Sequence, residues 1–253
     1  MMKLFDLHGR AAIITGGNGG IGRGLALAFA QAGADVCIAA RNKDKLANTA
    51  AEIEALGANC LSVECDVNEL EDLKRTLELT KERFGTCHIL VNNAGIAQQA
   101  PPQDLTDEQW ERVINTNLTS VFRFSRTVFP TFREQGFGKI INIGSEYSLF
   151  GSPLVPDYSA SKGGVIQLTK SLAVAWANVN IQVNAIIPGW ITSEMTQPVK
   201  ENTEMFQAIV GRTPAGRFGE PEELGGAGIF LASAASDFVT GQSIVVDGGY
   251  SVS

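Results

Sequence analysis

Thr15-Gly16-Gly17-Asn18-Gly19-Gly20-Ile21-Gly22 follows a short apolar run, residues 11–15, and opens a helical one, residues 21–32. Gly16 permits a tight turn, Gly20 lets the main chain approach a pyrophosphate, and Gly22 permits close packing of helix on strand. The helix that begins here offers free N–H groups and the positive end of its dipole to an anion. Glycines alone say little. Their place between a strand and a helix gives the reading its weight.

The same alternation runs through the chain. Short apolar runs at residues 11–15, 35–39, 60–64, 89–92, 139–143, 182–187 and 243–246 read as strands. Each is too short for a buried helix, and several are rich in Val and Ile. Helical stretches lie between them at residues 21–32, 43–56, 70–84, 107–135, 156–177 and 221–232. Thr106 before Asp107-Glu108-Gln109 has the form of a capping box. The order implies βαβ units: an α/β protein whose seven-stranded parallel sheet is covered by helices on both faces. Its 253 residues suit one domain, residues 1–253. The least regular part, residues 192–219, holds Pro198, Pro214 and three glycines. It lies on the side where open α/β sheets bind ligands. We read it as a short helical lid over a substrate; an ordinary surface loop is the plainer alternative.

Composition narrows the classes. Net charge is −7, which argues against non-specific binding to nucleic acid or anionic lipid. No apolar run reaches the length of a membrane span, and Met1-Met2-Lys3-Leu4-Phe5-Asp6 lacks the apolar stretch of a signal peptide. The cytoplasm is the expected compartment. Cys37, Cys60, Cys65 and Cys87 have neither C-x-x-C nor zinc-like spacing and are expected as buried free thiols. His8 and His88 are the only histidines, so a Ser-His-Asp hydrolase or a His-rich metal site is poorly supplied. No metal is expected, and His88, opening a strand, reads as structural.

Tyr158 and Lys162 stand four residues apart, thirteen and more residues after Ser145. On a helix they share one face. An ammonium beside a phenol favours the phenolate, which suits Tyr158 to proton transfer near neutral pH.

The glycine spacing is G-x-x-x-G-x-G, and with it the chain resembles the short-chain dehydrogenase/reductase family from Gly9 to Tyr250. Asn92-Asn93-Ala94-Gly95 resembles that family's turn after the fourth strand, Pro188-Gly189 its turn beside the nicotinamide, and Asp247-Gly248-Gly249 its last strand ending. Asn117, Ser145, Tyr158 and Lys162 look like its catalytic tetrad in order and spacing. The resemblance implies a Rossmann-type doubly wound fold and interconversion of a secondary alcohol and a ketone by hydride transfer. Tyr158 would be the acid/base. Lys162 would lower the Tyr158 pKa and bond the nicotinamide ribose. Ser145 would orient the substrate oxygen, and Asn117 would hold a water that links Lys162 to solvent. By the same resemblance Gly16, Asn18, Gly19, Gly20, Ile21 and Gly22 hold the pyrophosphate. Asp66 and Val67 flank the adenine, Asn93, Ala94 and Gly95 line the adenosine ribose, and Pro188, Gly189, Ile191 and Ser193 meet the nicotinamide side.

NADP is favoured over NAD. Where NAD enzymes carry an acid to accept from the ribose 2′-OH, this chain has Ala40, followed by Arg41 and Asn42. A guanidinium there meets a 2′-phosphate favourably. The family's second basic residue is missing, since Gly19 takes its place.

Substrate contacts are expected from Ser145, Glu146, Tyr147, Tyr158 and Trp190. The stretch from Ala175 to Ile191 looks like members that act on sugar acids, such as gluconate or deoxygluconate dehydrogenases, so a sugar acid or polyol is the expected substrate. A 3-oxoacyl-(acyl-carrier-protein) reductase is the alternative, with Arg123, Arg126 and Arg133 as candidates for a carrier-binding patch. A non-catalytic nicotinamide-binding regulator is a third reading, opposed by the intact tetrad. The family resemblance also implies a homotetramer. The stripe Leu168, Leu172 and Trp176 serves either an interface or the core.

Overall fold

A computed structural model of the protein describes residues 3–253. Met1 and Met2, part of the stretch read as lacking a signal peptide, lie outside the described residues. Seven parallel strands form one sheet in the order 3-2-1-4-5-6-7. They are β1 (Ala11–Thr15), β2 (Asp35–Ala40), β3 (Cys60–Glu64), β4 (Ile89–Asn92), β5 (Gly138–Ile143), β6 (Ile181–Pro188) and β7 (Ser243–Val246). Every residue of β1, β4, β5 and β6 is buried, the signature of a sheet covered on both faces.

The covering helices are α1 (Gly20–Gln31), α2 (Lys43–Ala55), α3 (Leu70–Phe84), α4 (Asp107–Ile114), α5 (Ser120–Gln135) and α6 (Pro156–Trp176). Two short ones, α7 (Gln197–Glu201) and α8 (Thr203–Arg212), precede α9 (Gly225–Ala232). Alternation along β1 splits the core. Ala12 and Ile14 pack with Leu25, Phe29 and Leu231 on one face, while Ile13 packs with Leu73, Phe124, Phe132 and Leu172 on the other. The strand order reverses between β1 and β4, which opens a crevice at their carboxyl ends.

The expected elements are present with shifts of a residue at several ends, and three features differ. The helix expected over residues 107–135 is broken by a π turn, Asn115–Thr119. The last expected helix begins as a 3₁₀ turn, Pro221–Leu224, before α9. Residues 192–219 carry two helices instead of one excursion, because the Asn202 side chain accepts from Met205 N and caps α8 separately. The Leu168, Leu172 and Trp176 stripe packs into the core, with Trp176 4.8 Å from the Phe129 ring. Cys37, Cys65 and Cys87 are buried free thiols and Cys60 is half-buried, and burial pushes the Cys37 thiol up to about 12. His88 is structural: its Nδ1 accepts from Ala11 N at 3.0 Å, and burial lowers its pKa to about 4.

Candidate active site

The phosphate turn leaves β1 with Gly16 at φ +63°, a conformation that L side chains rarely adopt. A Cβ on Gly22 would lie 2.2 Å from the Gly16 carbonyl oxygen, so only glycine allows the helix to approach this closely. No side chain caps α1, and its first N–H groups face the crevice end of the sheet without a capping acceptor. That is the state expected of an anion site. Asn93 fixes the turn from the neighbouring strand, donating from Nδ2 to Thr15 O at 2.9 Å and Gly16 O at 3.2 Å. Thr15 Oγ1 accepts from the N–H groups of Asn93 and Ala94, each at 3.0 Å.

The other cofactor candidates follow the same strand ends. Arg41 and Asn42 end β2, and Asn42 caps α2 by accepting from Lys45 N at 3.0 Å. Arg41 is exposed, with Nη1 4.0 Å from Asp66 Oδ2. Asp66 Oδ1 accepts from both Asn68 N and Asn68 Nδ2, which leaves Oδ2 as the free acceptor. Val67 is buried beside it. Gly95 lies between two tetrad members: a Cβ there would be 3.3 Å from Asn117 Oδ1 and 3.6 Å from Lys162 Nζ. Beyond Pro188 and Gly189, Ile191 pairs with Gly219 and closes the base of the lid. Ser193 lies over the phosphate turn, its Cβ 3.2 Å from the position a Gly20 Cβ would take. Lys45 and Glu194 form an ion pair between α2 and the lid. Asn18, Gly19 and Ile21 complete the turn, and space around Gly19 is open.

The tetrad residues gather at one end of the sheet. Pro156 at the first turn of α6 starts a helix that carries both Tyr158 and Lys162. Lys162 is 4% exposed, and its Nζ donates to Ile143 O at 2.8 Å. Burial lowers its pKa to about 8. Its Nζ stands 5.7 Å from the Tyr158 ring centre. Burial raises the Tyr158 pKa, against a smaller opposing hydrogen bond from Ser145. Lys162 is not what sets the phenol, contrary to the expectation. Desolvation outweighs a cation that is itself bound to a main-chain oxygen.

Ser145 heads a 3₁₀ turn, Glu146–Ser148, and its Oγ accepts from Tyr147 N at 3.2 Å. Asn117 sits in the π turn, fully buried. Its Oδ1 accepts from Ile96 N at 2.9 Å, and its Nδ2 donates to Ile96 O at 2.9 Å and to Ser161 Oγ at 3.1 Å. Both side-chain atoms are thus committed within the protein.

Tyr147, Tyr158 and Trp190 form an aromatic wall. Tyr147 lies edge-on to Tyr158 at 6.1 Å and to Trp190 at 6.4 Å. Trp190 Nε1 and Glu146 Oε1 are buried without hydrogen-bond partners. Glu146 does not join the wall: its Oε1 lies 3.0 Å from the place of a Gly189 Cβ, beside Asp247. Burial and the Asp247 charge push its pKa up to about 8.

Sequence reasoning missed several supports. Ser148 Oγ accepts from Ser145 N and donates to Lys162 O at 2.9 Å, tying the serine loop to α6. The Ser145…Ser148 spacing is a capping signal that reveals it. Thr15, Ile96 and Ser161 carry no comparable signal, because their roles arise only through contacts distant in sequence. Among the described residues no group of three His, Cys, Asp or Glu is placed to hold a metal, and no helix is long and apolar enough to cross a membrane.

A glycine-turn anion cradle joined to a Ser, Tyr and Lys constellation defines a nicotinamide-dependent oxidoreductase acting on CH–OH groups. Residues 16–251 match a family model described as enoyl-(acyl carrier protein) reductase. The chain belongs to the short-chain dehydrogenase/reductase family. It is 41% identical to a 2-dehydro-3-deoxy-D-gluconate 5-dehydrogenase of Dickeya dadantii, over 99% of this chain and 98% of that protein. It is 39% identical to a 3-oxoacyl-[acyl-carrier-protein] reductase of Thermotoga maritima, over 96% and 98%. Among solved structures it resembles a gluconate 5-dehydrogenase from Burkholderia cenocepacia in complex with NADP and tartrate. That match has a TM-score of 0.94 and 39% identity, covering 99% of this chain and 98% of that one. A short-chain type dehydrogenase/reductase from Mycobacterium marinum superposes with a TM-score of 0.95 at 38% identity, covering 100% and 99%.

Proposed function

We propose that the protein is an NADP-preferring dehydrogenase that interconverts a secondary alcohol and a ketone on a sugar acid. One observation carries the reading: Lys162, one turn after Tyr158 on α6, reaches the carboxyl end of β5 at Ile143, on the same end of the parallel sheet as the uncapped start of α1. The substrate class rests on the sugar-acid relatives, which match over nearly their whole length.

A bound nicotinamide supplies or accepts the hydride. The chain's own residues handle the proton and the geometry. Tyr158 donates its hydroxyl proton to the carbonyl oxygen in reduction and recovers it from the alcohol in oxidation. Lys162 would hold the cofactor ribose and bring a cation near the phenol. Ser145 donates to the substrate oxygen and stabilises the charge that develops there. Asn117 acts through its main chain at the π turn while its side chain fixes Ile96. Asn18, Gly19, Gly20 and Ile21 present main chain to the pyrophosphate, Asp66 and Val67 hold the adenine, and Asn93, Ala94 and Gly95 line the ribose. Pro188, Gly189, Ile191 and Ser193 border the nicotinamide, and Tyr147 and Trp190 wall the substrate. Arg41, with Asn42, takes the 2′-phosphate, and the absence of an acid at Ala40 removes the repulsion.

We further infer one domain with residues 192–219 as its lid, working as a homotetramer in the cytoplasm. Two separate sets of exposed apolar side chains support assembly: Trp110 and Phe122 on α4 and α5, and Val174 at 84% with the fully exposed Phe238 elsewhere. The carrier-protein alternative is favoured by the Thermotoga maritima relative. The arginines it needs do not form a patch: Arg123 donates to Asn68 O, while Arg126 and Arg133 lie over Phe122 and Phe129 of their own helix.

The test is Tyr158→Phe, with nicotinamide absorbance followed on sugar acids, polyols and acetoacetyl thioesters using both cofactors. Turnover is abolished and cofactor affinity kept. Wild-type turnover in the variant, or no activity of the wild type on any of the panel, overturns the reading.

A further inference from the structure

A sugar acid brings a carboxylate into a pocket where the Asp247 anion, beside Glu146, already opposes negative charge, so a cation has to receive it. Most cations around the lid are committed. Lys45 pairs with Glu194 and Arg217 with Glu223. Arg112 donates to Gln98 Oε1, and Lys200 donates to Thr192 Oγ1 and lies over Phe218, on the far side of the lid base.

Arg212 differs. It ends α8 at the lid's return, and among the described residues no carboxylate pairs with it. Its guanidinium carbon sits 4.1 Å from the Tyr250 ring centre and 5.2 Å from that of Phe150. Nη1 donates to Tyr250 Oη at 3.3 Å. Two aromatic rings and one hydrogen bond thus orient a planar fork and leave most of its donors unused. A cation in the last turn of a helix is ordinary; a cation clamped between Phe150, from the serine loop, and Tyr250, from the carboxyl terminus, is not explained by the helix. Its charge acts on both Glu146 and Tyr147, the two residues that follow Ser145. Tyr147 in turn lies against Tyr158. Through Phe150 the guanidinium thus meets the loop that carries Ser145 and Tyr147, beside the proposed acid/base.

We propose that Arg212 binds the substrate carboxylate and so selects sugar acids over neutral polyols. The inference rests on the sugar-acid reading above. With the hydroxyl at Tyr158 and the carboxylate at Arg212, the lid residue bridges to substrate only when the acid is present.

The experiment compares wild type, Arg212→Gln and Arg212→Lys on gluconate, 2-dehydro-3-deoxy-D-gluconate and the neutral gluconamide. Melting temperature and NADPH affinity by fluorescence serve as controls. Losing a charge-assisted contact raises KM for the acid about tenfold or more in Arg212→Gln. Gluconamide kinetics stay within about twofold on the same scale, and Arg212→Lys recovers part of the loss. Equal losses on acid and amide, no loss at all, or no recovery with lysine overturns the assignment of Arg212. A wild type inert on every sugar acid sinks the sugar-acid reading first, and the carboxylate site with it.

Discussion

The Lys162 ammonium donates to the main-chain oxygen of Ile143 at 2.8 Å and stands 5.7 Å from the centre of the Tyr158 ring. The pair shares a helix face, yet the cation serves the strand end and burial raises the phenol. The cation tunes the acid/base only once it leaves Ile143.

Two pH profiles test this. Oxidation needs the phenolate, so its rate rises with pH, and the cation sets where. In Lys162→Met only the Ser145 hydrogen bond opposes burial, and the rising limb moves to higher pH. At neutral pH oxidation falls about 10²- to 10⁴-fold, the range of a lost acid–base contribution. Lys162→Arg returns the limb part of the way. A Lys162→Met profile with an unmoved limb shows that the lysine does not tune Tyr158.

The side chain of Asn117 joins the π turn to Ile96 on the loop after β4 and to Ser161 on α6. Asn117→Ala leaves buried groups of Ile96 and Ser161 without partners, at roughly 2–4 kcal/mol in total. The urea midpoint falls accordingly, and turnover falls with it because the π turn loses its anchor. A midpoint unchanged from wild type means that the turn holds itself without this side chain.

Gly19 stands at φ 179° and ψ 168°, extended backbone open to any residue, and nothing lies within 4 Å of the position of its Cβ. Gly19→Arg therefore adds a second guanidinium near Arg41 without strain. KM for NADP falls about three- to tenfold while that for NAD is unmoved, as charge-assisted binding of a 2′-phosphate predicts. Equal effects on both cofactors place the 2′-phosphate elsewhere.

The sheet was legible because its strands are short Val- and Ile-rich runs separated by glycine turns and amphipathic helices, and both periods survive in sequence. Residues 89–92 and 243–246 were bounded as the structure has them. Tyr158 and Lys162 were legible as a pair by spacing, and Asn117 and Ser145 joined them through the family resemblance. What was not legible depends on partners distant in the chain. The break at Asn115 is set by Asn117 reaching back 21 residues to Ile96, and no local propensity encodes that. The hydrogen bond from Lys162 to Ile143 and the turning of Glu146 toward Asp247 are likewise tertiary. The second lid helix was recoverable, since Asn202 ahead of Thr203-Glu204-Met205 is a cap signal.

Glu146 gives the last prediction, on stability. Its carboxyl lies beneath Gly189 with Oε1 unpartnered, facing Asp247 at the end of β7, with Arg212 of α8 and Tyr147 as its other charged or titratable neighbours. Burial pushes Asp247 up, but hydrogen bonds from Ser251 and Gly249 outweigh it and keep that acid low, so Asp247 is the anion of the pair and Glu146 keeps its proton to about pH 8. In the unfolded chain Glu146 ionises at its ordinary value of 4.5. Between these two values the unfolded state binds fewer protons than the folded one. Stability therefore falls as pH rises through that window and is flat above it. Glu146→Gln keeps the shape and removes the titration. The variant matches wild type below pH 4.5 and exceeds it above pH 8, by about 5 kcal/mol on the linkage scale. Urea unfolding of both proteins across that range measures the difference. Parallel curves mean that Glu146 is ionised in the fold at neutral pH, with Arg212 as its counter-charge.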